Sequence, residues 1–280
     1  MIYLLTVNYN SSHLISKLIE SLEFQDDVLY QLIVVNNSQE DGEIYELQSS
    51  TVKVLEASGN IGFARACNLG LQWIEKQGDG EVVWFINPDA YLTPHSLEQV
   101  LPFFQKHPGV AILGSIIYTP EGDIWFAGGS FYRYSGAIIE TNLIINNPEL
   151  DYVTCDWVSG CSCLLNLKQF PQMPQFDSNY FLYYEDFDFC QNYKEQGYLV
   201  AVTQKIAVIH QPSSITNRDL TFKFKHSTYS YLFSLAKHSS KVAFALRFMR
   251  LSLYGLLLLP IKPQVALGKF KGVWMFCRNK

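Results

Sequence analysis

Four apolar runs, "IYLLTVNY", "QLIVVN", "VKVLEA" and "VVWFIN", recur between residues 2 and 87, each closed by polar residues and followed by a stretch that can return the chain. This repetition is the tightest constraint on the fold. Parallel strands need long crossovers, usually helical, and strands covered on both faces read as unbroken apolar sequence. The order therefore predicts an α/β chain with a mostly parallel, doubly wound sheet. Ser11 or Ser12 is placed to cap a helix through about Phe24, a second helix is expected from about Phe63 to Lys76, and "PHSLEQVLPFFQK" is expected to start a helix at Pro94. After Pro108 the pattern shortens to strands and turns, "GVAILGSIIYTPEGD" and "IWFAGGSFYRYSG", which predicts a mixed second half. C-terminal helices follow.

With 48% apolar residues over 280 positions, the chain can bury a sizeable core. Its six cysteines, Cys67, Cys155, Cys161, Cys163, Cys190 and Cys277, lack C-x-x-C spacing. That pattern suits buried, reduced thiols better than a disulfide framework or a zinc site. Met1 leads directly into an apolar run with no basic leader or cleavage motif, so a reducing cytoplasm is the expected location. Charge is divided unevenly. Residues 1–200 carry 8 Lys and Arg against 25 Asp and Glu, whereas residues 201–280 carry 13 against Asp219 alone. A tail this basic implies an anionic partner, and without a recognised nucleic-acid motif a membrane surface is favoured over nucleic acid. The uncharged run from Leu251 to Ile261 is about half the roughly twenty residues that span a bilayer. It fits a helix lying in the interface or one packed on the core.

Ligands of open α/β sheets bind beyond the carboxyl ends of the strands. Here those ends carry "VNYN", "VVNNSQEDG", "SGNIGFARACNLG" and "INPD", rich in amide and small side chains, and together they imply one large polar ligand. Asp89 stands just past the fourth run, although Asn-Pro-Asp is also a common turn. Gly62 would allow backbone N–H groups to approach an anion, or simply make a turn. Farther on, "YFLYYEDFDFC" sets Glu185, Asp186 and Asp188 among aromatics. Acids also suit the N-terminus of a helix ending at Gly197. His210 closes the run "AVIH", where a structural role is the commoner one.

Taken in order, the blocks "TVNYN", "VVNNSQEDG", "GNIGFARACNLG", "INPD", "DWVSGCSCLL", "FDSNYFLYYEDFDFCQNYKEQG" and "VIHQPSS" resemble the family-two inverting glycosyltransferases of the GT-A fold, particularly the branch with bacterial rhamnosyltransferases. The resemblance covers about residues 1–235. It implies a nucleotide-binding half over about 1–107, an acceptor-binding half over 108–235 and a basic amphipathic helical tail over 236–280. Val7, Tyr9 and Asn10 would border the base, and Asn36 would contact base or ribose where relatives usually carry Asp. Asn60, Gly62, Phe63 and Asn68 would lie along the nucleotide sugar. Trp157 and Gly160 would flank donor sugar or acceptor, and Ser213 or Ser214 the diphosphate. Asp89, with Asn87 replacing the motif's first acid, and His210 would hold Mg²⁺ or Mn²⁺. Asp186 would be the general base, with Glu185 positioning the acceptor and Asp188 helping the helix start. Asn192 stands where relatives often carry Arg. The implied reaction is inverting transfer from a nucleoside-diphosphate sugar, dTDP-rhamnose in the branch named, to a hydroxyl of a glycan or polyprenyl-linked glycan in cell-surface polysaccharide synthesis, on the inner face of the plasma membrane. A non-catalytic sugar-nucleotide scaffold and a nucleotidyltransferase remain as alternatives.

Overall fold

The four apolar runs become β1 (Ile2–Asn8), β2 (Tyr30–Asn36), β3 (Val52–Glu56) and β4 (Val82–Ile86), paired in parallel in the order β3-β2-β1-β4. β1 and β4 are buried at every residue, which is why neither shows a polar face in the sequence. The computed structural model describes residues 1–25, 28–211 and 219–279. α1 (Ser12–Glu23) and α2 (Phe63–Gln77) make the return crossings, with α2 ending on Gly78 in the left-handed conformation.

Beyond β4 the sheet turns mixed, as expected. β6 (Val110–Tyr118) and β12 (Leu199–His210) run parallel to each other, while β11 (Ser162–Asn166) inserts antiparallel between β4 and β6. Three short strands complete it: β5 (Ala90–Leu92), β7 (Ile124–Phe126) and β10 (Val153–Thr154). β8 (Gly129–Tyr132) and β9 (Ala137–Glu140) form a separate hairpin. Both expected halves thus share one sheet and one continuous core.

The helix expected from Pro94 starts later. α3 covers only Val100–Lys106, because residues 93–97 are tied elsewhere. Ser96 Oγ donates to Ala207 O of β12 at 2.8 Å, and Leu97 N donates to Gln25 Oε1. Pro102, not Pro94, occupies the first helical turn. Among the cysteines, all six are free thiols and five are buried; Cys277 is exposed, against expectation.

α4 (Glu185–Glu195) follows the aromatic run, and α5 (Leu220–His238), α6 (Lys241–Leu258) and α7 (Pro263–Arg278) close the chain. The expected boundary after residue 235 falls inside α5. Gly268 and Gly272 of α7 lie so close to α5 that a Cβ on either would stand within 2.7 Å of its backbone oxygens, so α5 and α7 pack as one unit with α6. α6 turns Ala243, Gly255 and Leu258 inward but leaves Val242, Leu246, Met249, Leu253 and Leu257 exposed. That exposed spacing repeats along one helical face. No helix among the described residues is long and apolar enough to cross a membrane.

Candidate active site

The carboxyl ends of β1 to β4 open on a cleft of about 690 Å³, roofed by the 181–187 segment and the start of α5. Val7, Tyr9, Asn10, Asn60, Gly62, Phe63 and Asn87 line it, as do Trp157, Gly160, Glu185, Asp186, Asp89 and His210. Ser213 lies outside the described residues, as does Ser214.

Two expected residues are elsewhere. Asn36 is buried behind the rim: its Oδ1 accepts from Asn8 Nδ2 at 3.1 Å and its Nδ2 donates to Glu56 Oε2 at 3.0 Å. Its neighbour Asn37 lines the cleft instead and ties the next strand's loop, with Nδ2 donating to Asn60 Oδ1 and Oδ1 accepting from Ile61 N. Asn68 is turned away because both ends of its amide clasp the backbone of Phe176, at 2.8 and 2.9 Å. Gly62 is needed where it stands. It has φ of 86°, and a Cβ there would come within 2.6 Å of Phe181 O, which accepts from Phe63 N.

The strand ladder builds the acidic corner. Ala90 pairs with His210 across β5 and β12, and Gln211 N donates to Asp89 O, so Asp89 and His210 are carried together. Their side chains meet at 3.2 Å, both buried, with Trp125 packed edge-on against the imidazole. A carboxylate oxygen and an imidazole nitrogen suit a divalent cation. No cluster of three or more His, Cys, Asp and Glu suited to a metal occurs among the described residues. Asp89 and His210 offer two donors that fit such an ion.

Residues 157–161 connect this corner to Asp186. Asn87 N donates to Cys161 O, while Gly160 N donates to Asp186 Oδ2 at 2.8 Å. Burial first, then the carboxylates of Asp89 and Asp186, push the Cys161 thiol well up. Phe187 N holds the other carboxylate oxygen of Asp186, also at 2.8 Å. The two neighbouring acids are distinguished by their surroundings. Burial, and then the Asp186 charge, drive Glu185 well above the usual glutamate range, which leaves it neutral. Burial raises Asp186 too, while its backbone donors act against that rise.

Three cleft-lining atoms are buried with no hydrogen-bond partner among the described residues: Trp157 Nε1, Glu185 Oε2 and His210 Nδ1. Such orphans are rare in folded chains and suit a polar ligand. Asp188, by contrast, is a fully buried structural anchor, bonded to His238 and Lys237 of α5 at 2.7 Å each and to Asn192 at 2.8 Å. The Asn at 192 therefore belongs to this anchor. Sequence reasoning missed the contribution of α5, which adds Phe222, Lys223 and Ser227 to the cleft wall. The basic helical pattern gave no sign of which face would meet the cleft.

Comparison with known proteins bears on the family and the fold. The sequence profile of glycosyl transferase family 2 matches residues 3–165. The N-acetylglucosaminyl-diphospho-decaprenol L-rhamnosyltransferase of Mycobacterium tuberculosis is 23% identical over 83% of each chain. Among solved structures, GalNAc-T7 with UDP, GalNAc and Mn²⁺ superposes with a TM-score of 0.65 at 14% identity, covering 99% of this chain and 56% of that one. The mannosyltransferase PcManGT of Pyrobaculum calidifontis, in complex with GDP-Man and Mn²⁺, gives 0.57 at 13% identity, covering 100% and 87%.

Proposed function

The chain belongs to glycosyl transferase family 2 and is a glycosyltransferase of glycan synthesis, and from that premise we propose that it transfers a sugar, with inversion, from a nucleoside-diphosphate sugar to a hydroxyl of a lipid-linked glycan. The observation that carries this reading is the division of the cleft into two chemically distinct corners. Asp186 presents a carboxyl group fixed by two backbone donors. Asp89 and His210 form a separate cation-binding pair. The scaffold and nucleotidyltransferase readings give way to family membership.

Asp186 takes the proton of the acceptor hydroxyl as that oxygen attacks the anomeric carbon, a role worth about 10²- to 10⁴-fold. One displacement inverts the configuration and needs no covalent intermediate on the protein. Neutral Glu185 and Trp157 Nε1 offer hydrogen bonds that orient the sugars. Asp89 and His210 would hold Mg²⁺ or Mn²⁺, which when bound neutralises charge on the departing diphosphate. The tyrosine and amides of the β1 and β2 ends, Tyr9, Asn10 and Asn37, face the base and ribose.

The rhamnosyltransferase relative supports a rhamnosyl donor, dTDP-rhamnose in the branch the sequence resembles, and a polyprenyl-diphosphate-linked sugar as the acceptor. The exposed apolar stripe of α6, among basic residues, supports peripheral attachment to the inner face of the membrane. A screen of nucleotide sugars, read by released nucleoside diphosphate with and without Mn²⁺, tests the proposal. Transfer with inverted configuration that requires the cation is expected. Pyrophosphate release from a nucleoside triphosphate instead would overturn it.

A further inference from the structure

A second cavity, about 630 Å³, lies between α5, α6 and α7. Its lining combines three lysines, Lys223, Lys262 and Lys269, with the apolar surfaces of Phe224, Tyr254 and Leu258, and it contains no acid. Lys223 also lines the active-site cleft, so the two cavities meet at one residue. On the other side, the same turns of α6 that supply Tyr254 and Leu258 carry the exposed Leu253 and Leu257.

A groove that sets lysines against apolar side chains and shares a lining residue with the active-site cleft suits a ligand with an anionic head on a hydrocarbon chain. We propose that this cavity binds the diphosphate and first isoprene units of the lipid-linked acceptor, with Lys262 and Lys269 on the diphosphate, Lys223 at the passage to the cleft and the chain leaving along the α6 stripe. The inference rests on the lipid-linked acceptor reading above, and it adds the site that would hold that lipid.

The setting of Lys269 supports this. Its ammonium stands 5.2 Å from the ring centre of Phe224 and 5.6 Å from that of Tyr254, half-buried over aromatic faces. Burial pulls its proton affinity below the ordinary lysine value. No Asp or Glu occurs anywhere from residue 220 to residue 279 to offset it. A diphosphate would supply the missing negative charge, and charge-assisted hydrogen bonds to an anion are the stronger kind. A surface serving only to attract membrane would have no need of a half-buried lysine lining a groove.

The test uses the full chain and farnesyl diphosphate, a short soluble prenyl diphosphate, in calorimetric titrations without vesicles. Inorganic pyrophosphate and farnesol are the control ligands. Lys262→Ala with Lys269→Met is compared with Arg250→Ala with Lys271→Ala, a pair that removes the same charge outside the cavity. Farnesyl diphosphate is expected to bind more tightly than either control ligand and to weaken about tenfold or more in the cavity pair. The outside pair should stay within about twofold of wild type. Equal weakening in both pairs, or pyrophosphate binding as tightly as farnesyl diphosphate, would overturn the proposal. Labelled sugar transferred into extracted membrane glycolipid separates the two readings. Wild-type labelling that is undiminished in the cavity pair removes the lipid site but keeps the lipid-linked acceptor. If wild-type protein labels soluble glycan and no glycolipid, the acceptor reading fails and the inference falls with it.

Discussion

Asp186 is oriented by backbone rather than by neighbouring side chains, through Gly160 N on one oxygen and Phe187 N on the other. Asp186→Asn keeps the size of the side chain, exchanges one of its two accepting oxygens for a donor and removes the base, so kcat should fall about 10²- to 10⁴-fold while donor affinity stays near wild type; single-turnover transfer and nucleotide titration measure the two separately. Gly160→Ala is a finer probe. The added Cβ would sit 3.3 Å from Asp186 Cβ and push the carboxylate by a few tenths of an ångström, for which a loss of about tenfold in kcat is expected. Glu185 makes a pH prediction. Its proton is held more tightly in the folded chain than in the unfolded one. Its contribution to stability is therefore present at low pH and is lost as pH rises from about 4.5 toward the raised value. Thermal melts of Glu185→Gln should gain on wild type across that rise, and parallel melting curves would count against it. Asp89, Asp186 and His210 are legible in the sequence because each follows or abuts a recognisable element. The exchange of Asn36 for Asn37 is not. Successive strand residues face opposite sides, so a single position decides which amide meets the ligand.

At the level of elements, the least legible feature is the corner that launches α4. Tyr183 and Tyr184 have φ of 71° and 62°, a left-handed pair without glycine that costs on the order of 1–3 kcal/mol per residue. No sequence pattern announces it. The strain is sustained by α5, which lies against the corner: Ser230 Oγ donates to Leu182 O, Tyr231 packs on Tyr184, and His226 sits on Phe181. His226 is held neutral, its pKa lowered to about 4 by burial and then by Lys225. The far end of α5 is fastened by Asp188. Burial lowers the Lys237 proton affinity, but its bonds to Asp188 and Asp177 more than restore it and hold it raised. Asp188→Ala would leave Lys237 with Asp177 alone and deprive His238 of its buried partner, at a cost of about 3 kcal/mol, or about 6 °C in Tm. Because α5 buttresses the corner carrying the base, the same variant should lose kcat at temperatures where it remains folded. Circular dichroism melts alongside transfer rates test both, and lowered Tm with unchanged kcat would uncouple α5 from the site. The strands, by contrast, are readable almost to the residue, since sheet burial writes itself into apolar runs.

Across the whole molecule, charge and apolar surface divide along the same line. The first 200 residues are acidic, while α5, α6 and α7 carry nine Lys and Arg and no acid. The exposed stripe of Val242, Leu246, Met249, Leu253 and Leu257 lies in this basic unit. The sequence shows the basic tail but not the stripe's orientation, because α6 is apolar around much of its circumference and only packing selects the face left outside. An anionic bilayer would attract the helices, each cation near the surface contributing about 1 kcal/mol, and repel the acidic body. Burying a leucine in the acyl boundary contributes about 1.5–3 kcal/mol, so Leu246→Asp with Leu253→Asp should reduce partitioning at least tenfold. These positions are exposed, and the fold should be unaffected. In flotation with phosphatidylcholine vesicles containing phosphatidylglycerol, wild-type protein is expected to rise with the lipid, increasingly so with more phosphatidylglycerol and less so with added salt. The double variant should stay at the bottom of the gradient with an unchanged circular dichroism spectrum. Equal flotation of variant and wild type would show that the stripe does not enter the bilayer.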